Sequence, residues 1–183
     1  MYQDLSYREV KHYEVLPLNA KKKIDQRGNV LILPYYHTKD VACGVRVVLI
    51  LDPSKPEPHY YKLPGGKIEL TDASVFIAAH RECKEETGLS MKKAVTTMAL
   101  TPVMCTNAHG TTFMVSIWIA TFSEEYVKEH LLRIGDEGEI VQTFPMVQMR
   151  DHRWRFLPKH RQLFERADAT SGYKMYDAIF GDT

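Results

Sequence analysis

Between Ala73 and Thr87 the chain contains neither proline nor glycine, and Phe76, Ala79 and Cys83 recur at spacings of three and four residues. That period is helical, and it sets a narrow apolar stripe along one side of a helix over 73–87. Both ends are marked. Thr71 or Asp72 suits the start as a cap, and Gly88 suits the left-handed residue that closes a helix. Just upstream stands the glycine pair Gly65 and Gly66, joined to the helix by KIELTD. Any fold open to this chain must bury the stripe while leaving the loop close to the helix.

The flanking residues supply strands for that burial. Short runs rich in Val, Ile, Leu, Tyr and Phe predict strands at 29–36, 42–51, 94–105, 112–122 and 140–147. The proline-rich DPSKPEPH reads as a solvated loop that ends the second strand at Asp52, and TNAHG reads as a turn. Residues 123–133 suit a helical turn, and 158–167 a closing helix with Pro158 in its first turn. A chain of 183 residues fits a single domain over 1–183, with 1–27 as an N-terminal extension or edge strand and 171–183 as a C-terminal tail.

Composition excludes several classes. Lys and Arg number 24 against 23 Asp and Glu, so no excess of positive charge marks a dedicated nucleic-acid partner. Cys43, Cys83 and Cys105 are far apart and form no Cys-x-x-Cys, which fits free thiols in a reducing compartment. The charged start MYQDLSYREVKHYEV lacks the apolar run of a signal peptide, and no stretch is long enough to span a bilayer. A cytoplasmic protein without a membrane partner is expected.

The chemistry lies in the second half of the helix. Glu82, Glu85 and Glu86 are spaced so that their side chains leave neighbouring parts of one face. Like charges there repel one another, and they also oppose the negative end of the helix dipole. A divalent cation would remove both penalties. Magnesium takes oxygen ligands and commonly shares itself between carboxylates and phosphates, and Gly65 and Gly66 let backbone atoms approach either one. An ordinary solvated helix face, with Arg81 and Lys84 as partners, is the competing account of the glutamates alone.

Taken whole, GGKIELTDASVFIAAHRECKEETGL resembles the Nudix box, Gly-x5-Glu-x7-Arg-Glu-U-x-Glu-Glu-x-Gly-U, with U an aliphatic residue. Gly66 opens it, and Arg81, Glu82, Cys83, Glu85, Glu86, Gly88 and Leu89 fill its second half. Two departures stand out. Asp72 occupies the first Glu position, and eight residues rather than seven separate it from Arg81. A count back from Arg81 would instead put Ala73 there, so the inserted reading is preferred, with helix capping as Asp72's alternative role.

The resemblance implies an α/β Nudix fold, a mixed β-sheet sandwiched between α-helices. It implies metal ligation of Mg2+ or Mn2+ by Glu82, Glu85 and Glu86 with the Gly66 carbonyl, and orientation of a carboxylate by Arg81 with Asp72 in support. Glu139 and Glu137, in the late loop GDEGE, are the candidates for general base, Glu139 preferred because it abuts a strand; a solvated acidic loop explains either one equally well. Gly65, Gly66 and Arg46 are candidates for substrate binding, although a surface ion pair is the simpler account of Arg46.

The implied activity is pyrophosphohydrolysis by metal-activated water. Its substrate is a nucleoside diphosphate linked to another moiety: an NDP-sugar, ADP-ribose or a nucleoside triphosphate. The alternative is a catalytically weak Nudix-like module that binds nucleotide or regulates. An isomerase of the same fold is disfavoured by the full RECKEE run. Oligomeric state stays open, a homodimer included. The histidines, among them His59, His109 and His160, show no metal-ligand spacing and read as surface or turn residues.

Overall fold

The computed structural model describes residues 28–40, 44–106 and 112–181. The expected N-terminal extension, Ala42 and Cys43 at the start of the strand expected over 42–51, and residues 107–110 of the expected turn TNAHG lie outside the described residues, as do 41, 111 and 182–183.

Strand β1 (Asn29–His37) is the middle of the molecule. Val30 and Ile32 point into one core and Leu31 and Leu33 into another, so its apolar run is continuous because both faces are covered. One edge runs parallel to β6 (Thr112–Phe122), from Asn29 opposite Val115 to Tyr36 opposite Phe122. The other edge meets β2 (Val45–Leu51), antiparallel, only through Tyr35–His37. Beyond that point β2 leaves β1 to pair with β3 (Tyr61–Lys62), while its opposite edge pairs with β7 (Ile140–Pro145).

The parting exposes backbone groups on the first half of β1, and buried N–H and C=O groups must find partners. The glycine loop supplies them: Val30 N donates to Gly66 O at 2.9 Å, Ile32 N to Pro64 O at 2.9 Å, and Ile68 N to Gly28 O at 3.0 Å. The loop is thereby fixed like a strand.

Where one strand is expected over 94–105, the structure has a 3-10 turn at Met91–Lys93 and two strands, β4 (Thr96–Ala99) and β5 (Val103–Thr106), both antiparallel to β6. Ala99 faces Trp118 and Val103 faces Val115, so residues 100–102 stand opposite only 116–117, which is a bulge. Pro102 has no N–H to give the ladder, and Thr101 N turns away to Ser171 Oγ at 2.6 Å.

Helices cover both faces of this mixed sheet, giving the expected α/β sandwich. On one side lie α1 (Val75–Thr87) and α2 (Glu124–His130), burying Ala78, Ala79, Cys83 and Val127 against Val30, Ile32 and Val48. On the other lie α3 (Pro158–Ser171) and α4 (Met175–Phe180), burying Phe164, Ala167, Ile179 and Phe180 against Leu31, Val47 and Leu49. Thus α3 runs past Ala167 to a left-handed Gly172, and the expected tail is a helix whose Ile179 and Phe180 complete the core.

Cys83 and Cys105 are free and buried. Among the described residues no helix is long and apolar enough to cross a membrane.

Candidate functional site

The last two turns of α1 meet the glycine loop edge to edge. Gly65 N donates to Glu86 Oε2 at 2.6 Å, and a Cβ on Gly66 would lie 2.6 Å from both carboxylate oxygens of Glu82. The glycine pair is thus required by close approach, and at Gly65 also by a φ of +145°.

Arg81 gathers the acidic groups around this contact. Its Nε and Nη2 donate to the two oxygens of Asp72 at 3.1 and 3.0 Å, a paired geometry that fixes the guanidinium plane. Its Nη1 donates to Glu82 Oε1 at 2.8 Å and Glu85 Oε2 at 3.1 Å, and Nη2 reaches Lys67 O at 2.9 Å. Asp72 has a side chain only 3% exposed and also accepts from Glu69 N at 2.8 Å.

The cap expected of Asp72 or Thr71 belongs instead to Ser74, whose Oγ accepts from Ile77 N. Asp72 lies before the first residue of the helix and within reach of Arg81.

The three glutamates have unequal surroundings. Glu82 and Glu85 share Arg81, whereas Glu86, buried and turned to Gly65, does not. Burial pushes the Glu86 carboxyl up to about 8; the Gly65 N–H and the Lys62 charge oppose the shift, while Glu82 and Glu139 add to it. Burial also raises Glu82, against the pull of Arg81.

The loop before β7 closes the other side. Asp136 N donates to Glu85 O and Leu132 N to Thr87 O, each at 3.0 Å, so the open carbonyls of α1 are satisfied by this loop. Glu139 is 4% exposed and accepts from Glu137 N at 3.2 Å, while Glu137 itself is exposed. Of the two candidates for base, only Glu139 is enclosed with Glu86. Gly135 makes that enclosure possible: a Cβ there would sit 2.7 Å from Glu139 Oε2 and 2.8 Å from Glu86 O. Sequence reasoning does not single out Gly135, because its need for glycine comes from packing between distant segments.

Arg46 is not brought to this cluster. It pairs with Tyr36, six residues along β1 from the Val30 that binds Gly66, roughly 20 Å at about 3.3 Å per residue. Its guanidinium is bound to Thr143, at 2.8 Å to the carbonyl and 3.0 Å to the hydroxyl. His160, expected at the surface, is buried; its Nδ1 accepts from Leu63 N at 3.1 Å, and burial depresses its pKa to about 3. A neutral imidazole there anchors α3 to the strand that enters the glycine loop.

As arranged, Arg81 binds Glu82 and Glu85, and no three acidic, histidine or cysteine side chains among the described residues converge on a single point. The donor chemistry nevertheless suits a hard divalent cation. It is all oxygen and partly buried, and burial works against the ionised form of Glu86 where no cation shares its charge.

A family model described as NUDIX domain matches residues 27–167. Similar solved structures include NrtR from Shewanella oneidensis, at 19% identity and TM-score 0.58, covering 77% of this chain and 61% of that one. The NUDIX domain of the same protein, complexed with ADP ribose, gives 20% identity and TM-score 0.57 over 77% of this chain and 85% of that one. A Nudix hydrolase from M. Smegmatis, RenU, gives 18% identity and TM-score 0.57 over 81% and 88%. At such identities the likeness is one of fold, and this chain spans 61% of the full NrtR chain. No curated protein matches the sequence. With the family model covering most of its length, and with its sheet, helices and glycine loop in that arrangement, the chain belongs to the Nudix family.

Proposed function

We propose that the chain is a metal-dependent pyrophosphohydrolase acting on a nucleoside diphosphate linked to a further group, such as an NDP-sugar, ADP-ribose or a nucleoside triphosphate. The observation that carries this reading is the close packing of Glu86 on Gly65 and of Glu82 on Gly66, with Glu139 enclosed beside Glu86 at Gly135 and with Glu82 and Glu85 held by Arg81. Burying that much negative charge is unfavourable without a cation to share it.

In this reading Glu82, Glu85 and Glu86, with the Gly66 carbonyl, hold magnesium or manganese. When bound there, the cation supplies Lewis-acid polarisation and neutralises charge on phosphoryl oxygens. Asp72 fixes Arg81, and Arg81 fixes Glu82 and Glu85, so the ligands are oriented before substrate arrives. Glu139 accepts a proton from the attacking water as the phosphorus–oxygen bond to the bridging oxygen breaks. Glu137 contributes through its backbone N–H, which holds the Glu139 carboxylate. Products are a nucleoside monophosphate and the phosphorylated second group, or, from a triphosphate, the monophosphate and pyrophosphate.

The test is turnover of a panel of ADP-ribose, sugar nucleotides, nucleoside triphosphates and dinucleoside polyphosphates with Mg2+ or Mn2+, read by product analysis. Metal-dependent release of a nucleoside monophosphate from one class is expected. Tight binding of one compound with turnover of none would replace this reading with that of a nucleotide-binding module.

A further inference from the structure

Successive residues of a strand face opposite sides of the sheet. Tyr61 and Leu63 pack into the core covered by α3 and α4, so Lys62 between them faces α1. Its cross-strand neighbour Ile50 and, one strand further, Val141 lie in the α1-side core, in one row with it. Glu139, two residues before Val141, shares that face. Glu86 arrives there from the helix, bound to the Gly65 N–H just downstream of Lys62. Lys62 is half-buried and has no salt bridge or side-chain hydrogen bond with any described residue.

The guanidinium groups of Arg81 and Arg46 already have protein partners. Arg81 is bound to Asp72, Glu82, Glu85 and the Lys67 carbonyl, and Arg46 to Thr143. A diphosphate entering a site lined by Glu82, Glu85, Glu86 and Glu139 is repelled, so a cation open to it matters for binding.

We propose that Lys62 is a substrate-binding residue whose ammonium holds a non-bridging oxygen of the diphosphate beside Glu86 and Glu139. The inference rests on the hydrolase reading of the same site. A lysine presents a compact charge with three rotatable donors, which suits phosphate oxygens and carries no preference among bases.

The experiment measures equilibrium binding of α,β-methylene-ADP, -GDP and -UDP, which resist cleavage at that bridge, to the full chain with Mg2+. Lys62→Gln should weaken all three by about tenfold, and by a similar factor, as expected for one lost charge contact. Lys62→Arg should stay within about threefold of the parent, and Lys93→Gln, an exposed change of equal charge, should have no effect. With a turned-over substrate, Lys62→Gln should raise KM far more than it lowers kcat.

Unchanged affinity in Lys62→Gln, or a loss confined to one base, would overturn the proposal. So would tighter Mn2+ binding by Lys62→Gln with unaltered nucleotide affinity, the pattern of a lysine that only offsets the carboxylates. If the parent binds the analogues but hydrolyses nothing, the hydrolase reading fails while the binding comparison still decides the role of Lys62. If it binds none of them, both fail.

Discussion

Two helices on the same face of the sheet carry glutamates in opposite ways. In α2 they occupy the first turn: Glu124 accepts from Lys39 N at 2.8 Å and pairs with Lys128 at 2.7 Å, and Glu125 pairs with Lys39. These partners lower both carboxyl pKa values, and the charges complement the positive end of the helix. In α1 the glutamates occupy the last turns, where the helix end is negative, and burial raises the pKa of Glu82 and Glu86. The acidic turn of α2 is what helix stability favours. That of α1 opposes it, and the metal site proposed above gives a reason for the clustered carboxylates.

The largest expected effect breaks the contrast directly. Replacing Glu85 and Glu86 together with Gln should reduce turnover by about a thousandfold or more, as for loss of groups that stabilise transition-state charge, with a far-UV circular dichroism spectrum like that of the parent. Next is Gly66→Ala. Its new methyl meets the Glu82 carboxylate, and a displacement of this size should lower kcat roughly a hundredfold, measured at saturating substrate.

A third prediction concerns stability against pH. The Glu86 carboxyl binds its proton more tightly in the folded chain, at about 8, than in the unfolded chain, near its ordinary 4.5. Its contribution to stability is therefore complete below the lower value and is lost as pH rises through the upper one. With chelator present, Glu86→Gln should be more stable than the parent above pH 8, by on the order of 3 kcal/mol, and the gap should close on acidification. Denaturant melts across that range read the difference; a gap constant with pH would contradict it. The smallest effect belongs to α2, where Glu124→Gln should lower Tm slightly, lose that effect in high salt and leave turnover unchanged.

Local signals explain what was legible beforehand. The period of Phe76, Ala79 and Cys83, the stop at Gly88 and the spacing of Arg81, Glu82, Glu85 and Glu86 are properties of neighbouring residues, and the helix and its acidic face follow from them. What stayed hidden depends on distant segments. Ser74, not Asp72, caps α1 because Asp72 is drawn to Arg81 across the turn. The break between β4 and β5 follows from Pro102 together with Ser171, which takes the Thr101 N–H from the far side of the domain. His160 is buried because Leu63 offers it a backbone donor, and α4 is a helix because Ile179 and Phe180 find a core to fill. Lys62 gains its meaning only from the face on which β3 places it.

The most direct measurement is the shift in Tm on adding Mn2+ above pH 8, for the parent and for Glu86→Gln. If the carboxylates of α1 are clustered to hold a cation, binding to the folded state raises the parent's Tm with metal concentration, and the variant, with one ligand charge removed, shows little or no rise. An equal rise in both, or none in the parent, would contradict the account.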